Sequence, residues 1–551
     1  MASDTSHVRE YLPQSSGKWL GQRRDLLIRR LREKHQKNVT SHSLISSHGH
    51  SSEVVSIASP TISPVPAPIL VSNGEPPDLG IIPTMSQTPP LGYSPKIQTY
   101  IHALPPELLC EIFIHCLPPL QECPRPAPQI APMLLCQICR YWRQVAVAFS
   151  HLWCSFSSCK PDDWRAIDSC LAWRYLVRSH NQPLTLEIYR DFERTIMPQY
   201  IKNIHRWRHV SFGLSPSRYE FLTIPAKRAE RLEGVKIHAA GWTSKQLESV
   251  PLIVNEFPNL RSLEWYSQHR ASKAFIGMVW EKLEHITIIG PTRLRDCVYI
   301  LSQCQRVKTA EFRGIDVLCD TVNMVVVPSL QSLQYNYSPN CATTRADVEL
   351  LDLLTLPALH TLKLGTKVKN LGILEQFIER SACTLEVFHI ADVNLKNKDI
   401  AQYLRLPCLR SLHELILSPK KITNKTVRLL TYPKSASGDL EVAGLLRRKL
   451  VRLSVRHWKK RVEILPHLQR LVLSGCRTTD GLLSKMVDSR MQTHADLSTT
   501  PTKSSLTDVS FWFPLHQNKQ FSPHTRDVQN FEKFMRDGLM INWRWEHLPK
   551  F

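Results

Sequence analysis

Glycine is scarce in this sequence, and long apolar runs are absent. The chain has 551 residues and 19 glycines, and it contains no G-x-S-x-G, phosphate-binding loop, dinucleotide-binding glycine pattern or H-E-x-x-H. Its most apolar stretches, such as residues 324–327, are far shorter than the roughly 20 residues that cross a bilayer. We therefore predict neither an enzyme nor a membrane-spanning protein, and we expect no cofactor.

A targeting signal for secretion or organelle import is also missing. Residues 1–10 lack the apolar core of a secretory signal, and Asp4, Glu10 and Asp25 do not fit an acid-poor mitochondrial presequence. The 15 cysteines are expected to be reduced, because disulfides persist mainly in oxidising compartments. The expected location is the cytoplasm or the nucleus.

The charge of the chain is strongly basic. The formal net charge is +22, and charged residues make up 21% of the chain. Such an excess favours association with nucleic acid or acidic proteins and says little about the fold. Because the basic residues beyond the amino-terminal segment are dispersed, nucleic acid is not the expected partner. Hydrophobic residues make up 42%, so most of the chain is expected to fold, with room for several units.

Residues 1–96 differ in composition from the rest of the chain. Arginines surround Leu20, Leu27 and Leu31, which recur near helical spacing and predict a short basic amphipathic helix. The interpretation is a solvated helix, with nuclear targeting or binding of an acidic partner as alternatives. From about residue 38 to 94, serine and proline dominate without any apolar period, so a disordered region is predicted.

Helical patterns extend over residues 97–158. Pro105 and Pro106 suit the first turn of a helix, where their missing N–H groups would be unpaired anyway. Apolar residues then recur on one side, and Pro118 with Pro119 ends this first helix. A unit of this size is marginal as a freestanding core, so packing against a partner would stabilise it.

A second helix is predicted to begin at Pro132, after a proline-rich loop. One side of it carries the apolar residues Leu134, Ile138, Trp142, Val145 and Phe149. Cys136 and Cys139 form a C-x-x-C pair within the same helical pattern. Because no second closely spaced pair with finger-like geometry follows, no structural zinc is expected.

Three segments of this module resemble the F-box domain in order and spacing. They are LPPELLCEIF at 104, LLCQICRYWRQVA at 134 and HLW at 151. The likeness is to the F-box-like domains abundant in mushroom-forming fungi, and residues 164–189 also resemble the segment that follows the module in those proteins. The resemblance covers about residues 100–190. The loop of residues 117–131 departs from the family, because it is longer and richer in proline than the connection of compact F-boxes.

The resemblance implies a binding role for the module. F-box domains bind a Skp-type adaptor protein, which bridges to a cullin-RING ubiquitin ligase, so this module would dock the chain onto that ligase core. Eight residues match motif positions and are expected to form or support the interface: Leu104, Pro105, Leu108, Leu109, Ile112, Val145, Leu152 and Trp153. Excess apolar surface on a small helical unit agrees with this role. The alternative is that several of them, especially Ile112 and Val145, fill the module's own core.

A pattern of the type L-x-x-L-x-L recurs over residues 181–513. The pattern occurs eleven times: RLEGVKI at 231, NLRSLEW at 259, KLEHITI at 282, RVKTAEF at 306, SLQSLQY at 329, ALHTLKL at 358, TLEVFHI at 384, LHELIL at 412, LVRLSV at 450, HLQRLVL at 467 and LTDVSF at 506. The alternation predicts strands, and the intervening LRDCVYILSQC and LEQFIER predict helices. Such small units cannot bury their apolar faces alone, so we expect a leucine-rich-repeat-like solenoid with parallel strands.

Function in this region is expected on the residues that alternate with the core positions. These are His209, Ser211, Lys236, Glu264, Thr287, Glu311, Gln334, Lys363, His389 and Arg470 or Val472. Because their charges are mixed, the expected target is a protein. A connecting helix is predicted within residues 159–180, and residues 514–551 are predicted to cap the last repeat with a helix around residues 528–540.

The predicted fold class is therefore α/β: a disordered amino-terminal region, a small all-α F-box module and a leucine-rich-repeat-like solenoid. The predicted function is that of an F-box substrate adaptor of a Skp/cullin-type ubiquitin ligase, in which the repeat region binds a target protein. The alternative is a non-catalytic repeat scaffold that binds protein or nucleic acid without ubiquitin transfer. Steeply salt-dependent binding to nucleic acid would favour that alternative.

Overall fold

The described part of the chain is a mixed α/β structure built on one large parallel sheet. The computed structural model describes residues 104–118, 123–157, 169–189, 197–213, 224–316, 323–338, 349–368, 370–432, 464–491, 506–514 and 524–546. Within these ranges the large sheet has 14 strands, and a separate sheet has two. The predicted α/β class is confirmed. The basic helix and disordered region predicted within residues 1–96, and the LVRLSV segment at 450, lie outside the described residues.

The strands are short, and most coincide with the alternating apolar runs. Those of the large sheet are β1 Ser155–Ser157, β2 Leu184–Tyr189, β3 Trp207–Gly213, β4 Gly234–Ala239, β5 Ser262–Ser267, β6 His285–Arg293, β7 Thr309–Asp316, β9 Ser332–Tyr337, β11 Thr361–Leu364, β12 Val387–Ile390, β13 Glu414–Leu417, β14 Arg470–Ser474, β15 Asp508–Pro514 and β16 Met540–Glu546. The small sheet pairs β8 Val325–Val326 with β10 Leu354–Thr355.

Helices and single turns connect most of these strands. The α-helices are α1 Pro106–Cys116, α2 Arg140–Ala148, α3 Ser169–Arg178, α4 Met197–Lys202, α5 Ser244–Leu247, α6 Val250–Val254, α7 Ser272–Gly277, α8 Leu294–Gln303, α9 Leu371–Ser381, α10 Asn397–Tyr403, α11 Asn424–Leu430, α12 Leu482–Met491 and α13 Thr525–Arg536. The predicted helical segments LRDCVYILSQC and LEQFIER fall in α8 and α9.

Strand order in the large sheet follows the order along the chain. Every neighbouring pair is parallel, and β8 and β10 are set apart in their own sheet. Parallel neighbours need a crossover between them, which α8 supplies between β6 and β7 and α9 between β11 and β12. The registers continue from strand to strand: Ile237 lies beside Trp265, which lies beside Ile288. Equivalent side chains therefore form rows that cross the sheet.

One face of the sheet is buried and carries the core. Successive residues of a strand point to opposite faces, and on β5 this alternation buries Leu263 and Trp265 and leaves Glu264 partly exposed. The buried side chains form one cluster that runs from Leu109 of the helical module to Ile541 of the last strand. The module and the sheet therefore share a continuous core.

The second helix of the module begins later than predicted. The sequence places its start at Pro132, but the helix α2 starts at Arg140, and residues Leu135–Gln137 form a separate 3-10 turn. Cys139 interrupts the helix with an extended backbone at φ −157° and caps α2, because its sulfur accepts a hydrogen bond from the N–H of Trp142 at 3.3 Å. The C-x-x-C pair therefore straddles a helix start, and the prediction that it lies inside a helix is wrong.

The carboxyl-terminal tail adds a strand to the sheet. The helix predicted around residues 528–540 is α13, which ends at Arg536, and Met540 begins β16, which pairs with β15. The connecting helix predicted between residues 159 and 180 corresponds to α3. The sheet thus extends past residue 513, where the sequence pattern ended it.

Candidate functional site

Helix α1 carries an exposed apolar stripe at the start of the described chain. Leu108 and Ile112 lie four residues apart, so they project from the same side of the helix. Their exposed fractions are 53% and 37%, whereas Leu109 and Phe113, one position further in each case, are fully buried. Phe113 packs against Trp142 with ring centroids 4.9 Å apart. Helix α1 therefore anchors one side in the core and leaves three large apolar side chains exposed: Leu108 and Ile112 on one stripe, and Ile114 at 40%.

Four of the predicted interface residues are buried within the module. Leu109, Val145, Leu152 and Trp153 have exposed fractions of 0%, 8%, 1% and 1%. The indole N–H of Trp153 donates to the carbonyl of Ala146 at 2.8 Å. A buried indole needs such a partner, because an unmade hydrogen bond there costs about 1–3 kcal/mol. The ring of Tyr175 in α3 meets the Trp153 ring edge-on at 4.9 Å.

The two remaining predicted residues lie at the start of α1. Leu104 is half-buried, and its carbonyl accepts a hydrogen bond from the Tyr141 hydroxyl at 3.0 Å. Pro105 is exposed at the N-cap position, and its carbonyl accepts from the Leu109 N–H at 3.2 Å. These contacts fix the entry of the chain into α1 and hence the direction in which Leu108 points.

Helix α3 presents a second exposed apolar pair that the sequence analysis missed. Trp173 and Val177 are 49% and 48% exposed, while Ala172 and Leu176 beside them are buried. The helix packs on the turn Ser150–Trp153 through the buried side. The sequence signal was present, because LAWRYLVR places apolar residues on more of the helix circumference than one core face requires.

Nine of the residues predicted to point outward from the strands form a single row, together with Ile416, which was not predicted. The register places Ser211, Lys236, Glu264, Thr287, Glu311, Gln334, Lys363, His389, Ile416 and Val472 side by side on consecutive strands from β3 to β14. We call this set the outer row. Of the other two residues predicted there, His209 lies beside Gly234, and Arg470 lies between Glu414 and Asp508.

Three charged residues of the outer row, and three of the neighbouring row, are paired within the chain. Lys236 contacts Glu264, with the ammonium 2.8 Å from the carboxylate. Glu311 accepts hydrogen bonds from Arg313 and from Gln334. In the neighbouring row, the guanidinium of Arg470 lies 3.2 Å from the carboxylates of both Glu414 and Asp508. In each of these pairs the opposite charges largely cancel, so these parts of the two rows carry little net charge.

His389 is the most perturbed titratable residue of the outer row. Burial and, to a smaller extent, the positive charge of Lys363 on the adjacent strand together lower its pKa to about 4. The imidazole is therefore neutral near pH 7. Its Nε2 atom is shielded from water and has no hydrogen-bond partner among the described residues.

One cluster in the described residues has the spacing of a metal site. It comprises Asp480, His524 and Asp527, whose potential ligand atoms lie within 4.8 Å of one another. Asp480 accepts hydrogen bonds from the N–H groups of Arg526 and Asp527 at the start of α13. Asp527 accepts from the Ser484 N–H of α12 at 2.8 Å and contacts His524 at 2.8 Å.

These contacts engage the carboxylates with the two helix starts. Burial alone would raise the pKa of Asp527, but hydrogen bonds from His524 and Ser484 lower it, and the net shift is downward. Asp527 is fully buried and His524 is 4% exposed, so the group has little access for a substrate. Asp480 caps the start of α13 and Asp527 caps the start of α12, so the cluster joins the two helices.

Comparison with known proteins adds no family assignment. No protein-family model matches the chain, and no curated protein matches it. None of the helices in the described ranges combines the length and the apolar composition that crossing a bilayer requires.

Proposed function

We propose that this chain is a substrate adaptor of a Skp/cullin-type ubiquitin ligase. In this role the F-box-like module binds the Skp-type adaptor protein, and the strand–helix region holds a protein target. The role is one of binding, with no catalytic residue and no cofactor of its own, and it would be exercised in the cytoplasm or the nucleus.

The exposed stripe on α1 is the observation that carries this proposal. Leu108 and Ile112 occupy positions of the F-box-like motif, and they are 53% and 37% exposed in a helix whose other side is buried. Burial of apolar surface contributes about 25 cal/mol of favourable free energy per Å² removed from water. Two large aliphatic side chains on a helix fixed by core residues are suited to the groove of another protein.

Strand order supports the second half of the proposal. In the described residues each strand of the large sheet pairs with its neighbours in sequence, and helices cross over between many of them. Stacked strand–helix units of this kind build a leucine-rich-repeat-like solenoid, in which each unit contacts its neighbours. The long row of partly exposed side chains on the strands gives such a solenoid an extended surface for a protein target.

Substitution of the exposed stripe tests the proposed docking. The full-length variant Leu108→Asp/Ile112→Asp should bind a purified Skp-type adaptor at least about 30-fold more weakly than wild type, because the loss of even one anchor worth about 2 kcal/mol has that effect. Affinity is measured by titration calorimetry. Trp153 is unsuitable for this test, since its burial means that a charged replacement would disrupt the module itself.

A matched control is available on two other helices. Leu252 in α6 and Ile276 in α7 are 69% and 66% exposed, so the variant Leu252→Asp/Ile276→Asp makes the same chemical change outside the module. It should keep wild-type affinity for the adaptor. Equal affinity of both double variants, with unchanged thermal unfolding, would rule out docking through α1.

A further inference from the structure

Lys363 stands apart from the other charged residues of the outer row. Lys236 and Glu264 pair with each other, and Glu311 is engaged by Arg313 and Gln334. In the part of the chain that the structure describes, no carboxylate lies within ion-pair distance of Lys363. Its positive charge lowers the pKa of His389 instead. At β11 the row therefore carries one positive charge that no carboxylate of the described residues pairs with.

The neighbours of Lys363 on the two adjacent strands, Gln334 and His389, carry no charge near pH 7. Nε2 of His389 has no hydrogen-bond partner among the described residues, but it is shielded from the solvent. An anionic group of a ligand would therefore pair with Lys363 alone.

The outer row becomes apolar on the next two strands. Ile416 on β13 and Val472 on β14 continue the line after His389. Ile416 is partly exposed, and Val472 is 5% exposed. The polar positions of β3 to β12 are thus followed directly by an aliphatic patch, which favours an apolar side chain of a ligand.

Small side chains flank this part of the row. Two residues further along each strand lie Gly365, Ala391, Ser418 and Ser474. At Gly365 a Cβ atom would collide with the Cβ of Asn336, so only glycine fits at that point without a shift. The side chains beside His389 and Ile416 therefore project little from the sheet, and an extended backbone can approach it closely there, whereas the side chain of Asn336 fills the space at Gly365.

We propose that the outer face of β11 to β14 binds an extended segment of the target protein, with an acidic side chain at Lys363 and an apolar side chain over Ile416 and Val472. This proposal rests on the proposed function only in that the sheet is the target-binding half. Neighbouring strands are about 4.8 Å apart, so Lys363 and the apolar pair are separated by about 10–14 Å. An extended chain advances about 3.3–3.6 Å per residue, which places the two side chains three or four residues apart.

The chemistry favours a peptide over nucleic acid. A nucleic acid backbone brings many phosphates and is bound by several cations together. Lys363 is flanked by the neutral Gln334 and His389. In the neighbouring row, the cation Arg470 forms an ion pair with Glu414. A single unpaired cation beside an aliphatic patch matches one anionic and one apolar side chain.

A peptide array tests this assignment directly. Eight-residue peptides on a Gly/Ser background carry one Asp or one phosphoserine and one Leu at every separation, with Lys replacing the acid in a parallel set. The full-length chain should bind best when Leu lies three or four residues from the acid, and the two acid types reveal whether carboxylate or phosphate is preferred. Lys363→Glu should weaken acidic peptides at least tenfold and favour the Lys set, and Ile416→Ser should remove the preference for Leu.

Lys273→Glu provides the matched control. It changes the net charge equally and lies on helix α7, where its side chain is 80% exposed, and it should leave the array profile within twofold of wild type. Absence of binding to any acidic peptide, or an equal loss in the Lys273 and Lys363 variants, would overturn the assignment. The Leu108→Asp/Ile112→Asp variant separates the two proposals, because it should keep peptide binding whether or not docking to the ligase adaptor is lost.

Discussion

The burial of His389 makes the stability of the fold depend on pH. Its imidazole is held neutral because burial and the charge of Lys363 lower its pKa to about 4. In the unfolded chain the pKa of histidine is about 6.5. Between these two values the unfolded state binds more protons than the folded state, so acidification through this window destabilises the fold.

Replacing His389 should therefore flatten the acid side of the stability curve. In His389→Asn, the free energy of unfolding should fall less steeply between pH 6.5 and 4 than in wild type, by up to about 1.4 kcal/mol per pH unit, which is the linkage of one proton. Urea unfolding at several pH values measures the slope. Parallel curves for the two proteins over that window would show that the pKa of this imidazole is the same in the folded and unfolded states.

Trp153 illustrates what residue identity cannot separate. The motif position predicted a role in the interface, yet the side chain is 1% exposed and its indole N–H donates a hydrogen bond to the Ala146 carbonyl. Leu108 and Ile112 were predicted by the same resemblance and are exposed. Large apolar residues look alike in a sequence whether they face the core or a partner, and only the packing of α3 and the Ser150–Trp153 turn distinguishes them.

At the scale of elements, alternation along the chain predicted the strands well. The runs at residues 231, 259 and 282 became β4, β5 and β6, because a period of two buries one face of a strand wherever it lies in the sheet. The start of α2 was not predictable in this way. Arg143 donates to the Cys136 carbonyl at 2.7 Å, and Gln137 donates to Pro128 at 3.0 Å. Such side-chain contacts to the loop override helical periodicity.

Gly290 makes an element-level irregularity possible in β6. The register between β6 and β7 shifts after Ile289, and Gly290 adopts φ +140° at this bulge. A Cβ atom here would collide with the carbonyl oxygen of Ser267. Glycine is therefore required both by its backbone conformation and by the close approach of β5.

Comparison with a second glycine isolates the steric part of this requirement. Gly538 also has a positive φ, +94°, but nothing lies within 4 Å of a Cβ atom placed there. Both alanine variants should be less stable than wild type, and Gly290→Ala should cost about 2 kcal/mol more than Gly538→Ala. Chemical unfolding of the two variants measures the difference. Equal losses would indicate that β5 and β6 are further apart at the bulge than described.

At the scale of the whole molecule, the helical module and the sheet form one packed body. Strand β1 follows the last turn of the module and pairs with β2, and Phe156 of β1 lies 5.0 Å from the Tyr175 ring of α3. A shared core fixes the direction of the α1 stripe relative to the sheet. Such rigidity suits an adaptor, because a target held on the strands would keep a defined position relative to the ligase.

The most direct measurement of the central claim is a photo-crosslink from α1 to the ligase adaptor. Full-length chain with p-benzoylphenylalanine at position 112 is irradiated with a purified Skp-type adaptor, and the same is done with the probe at position 276, where Ile276 is 66% exposed. The expected result is a covalent one-to-one product from position 112 and none from position 276. Equal products from both positions, or no product from position 112, would contradict docking through α1.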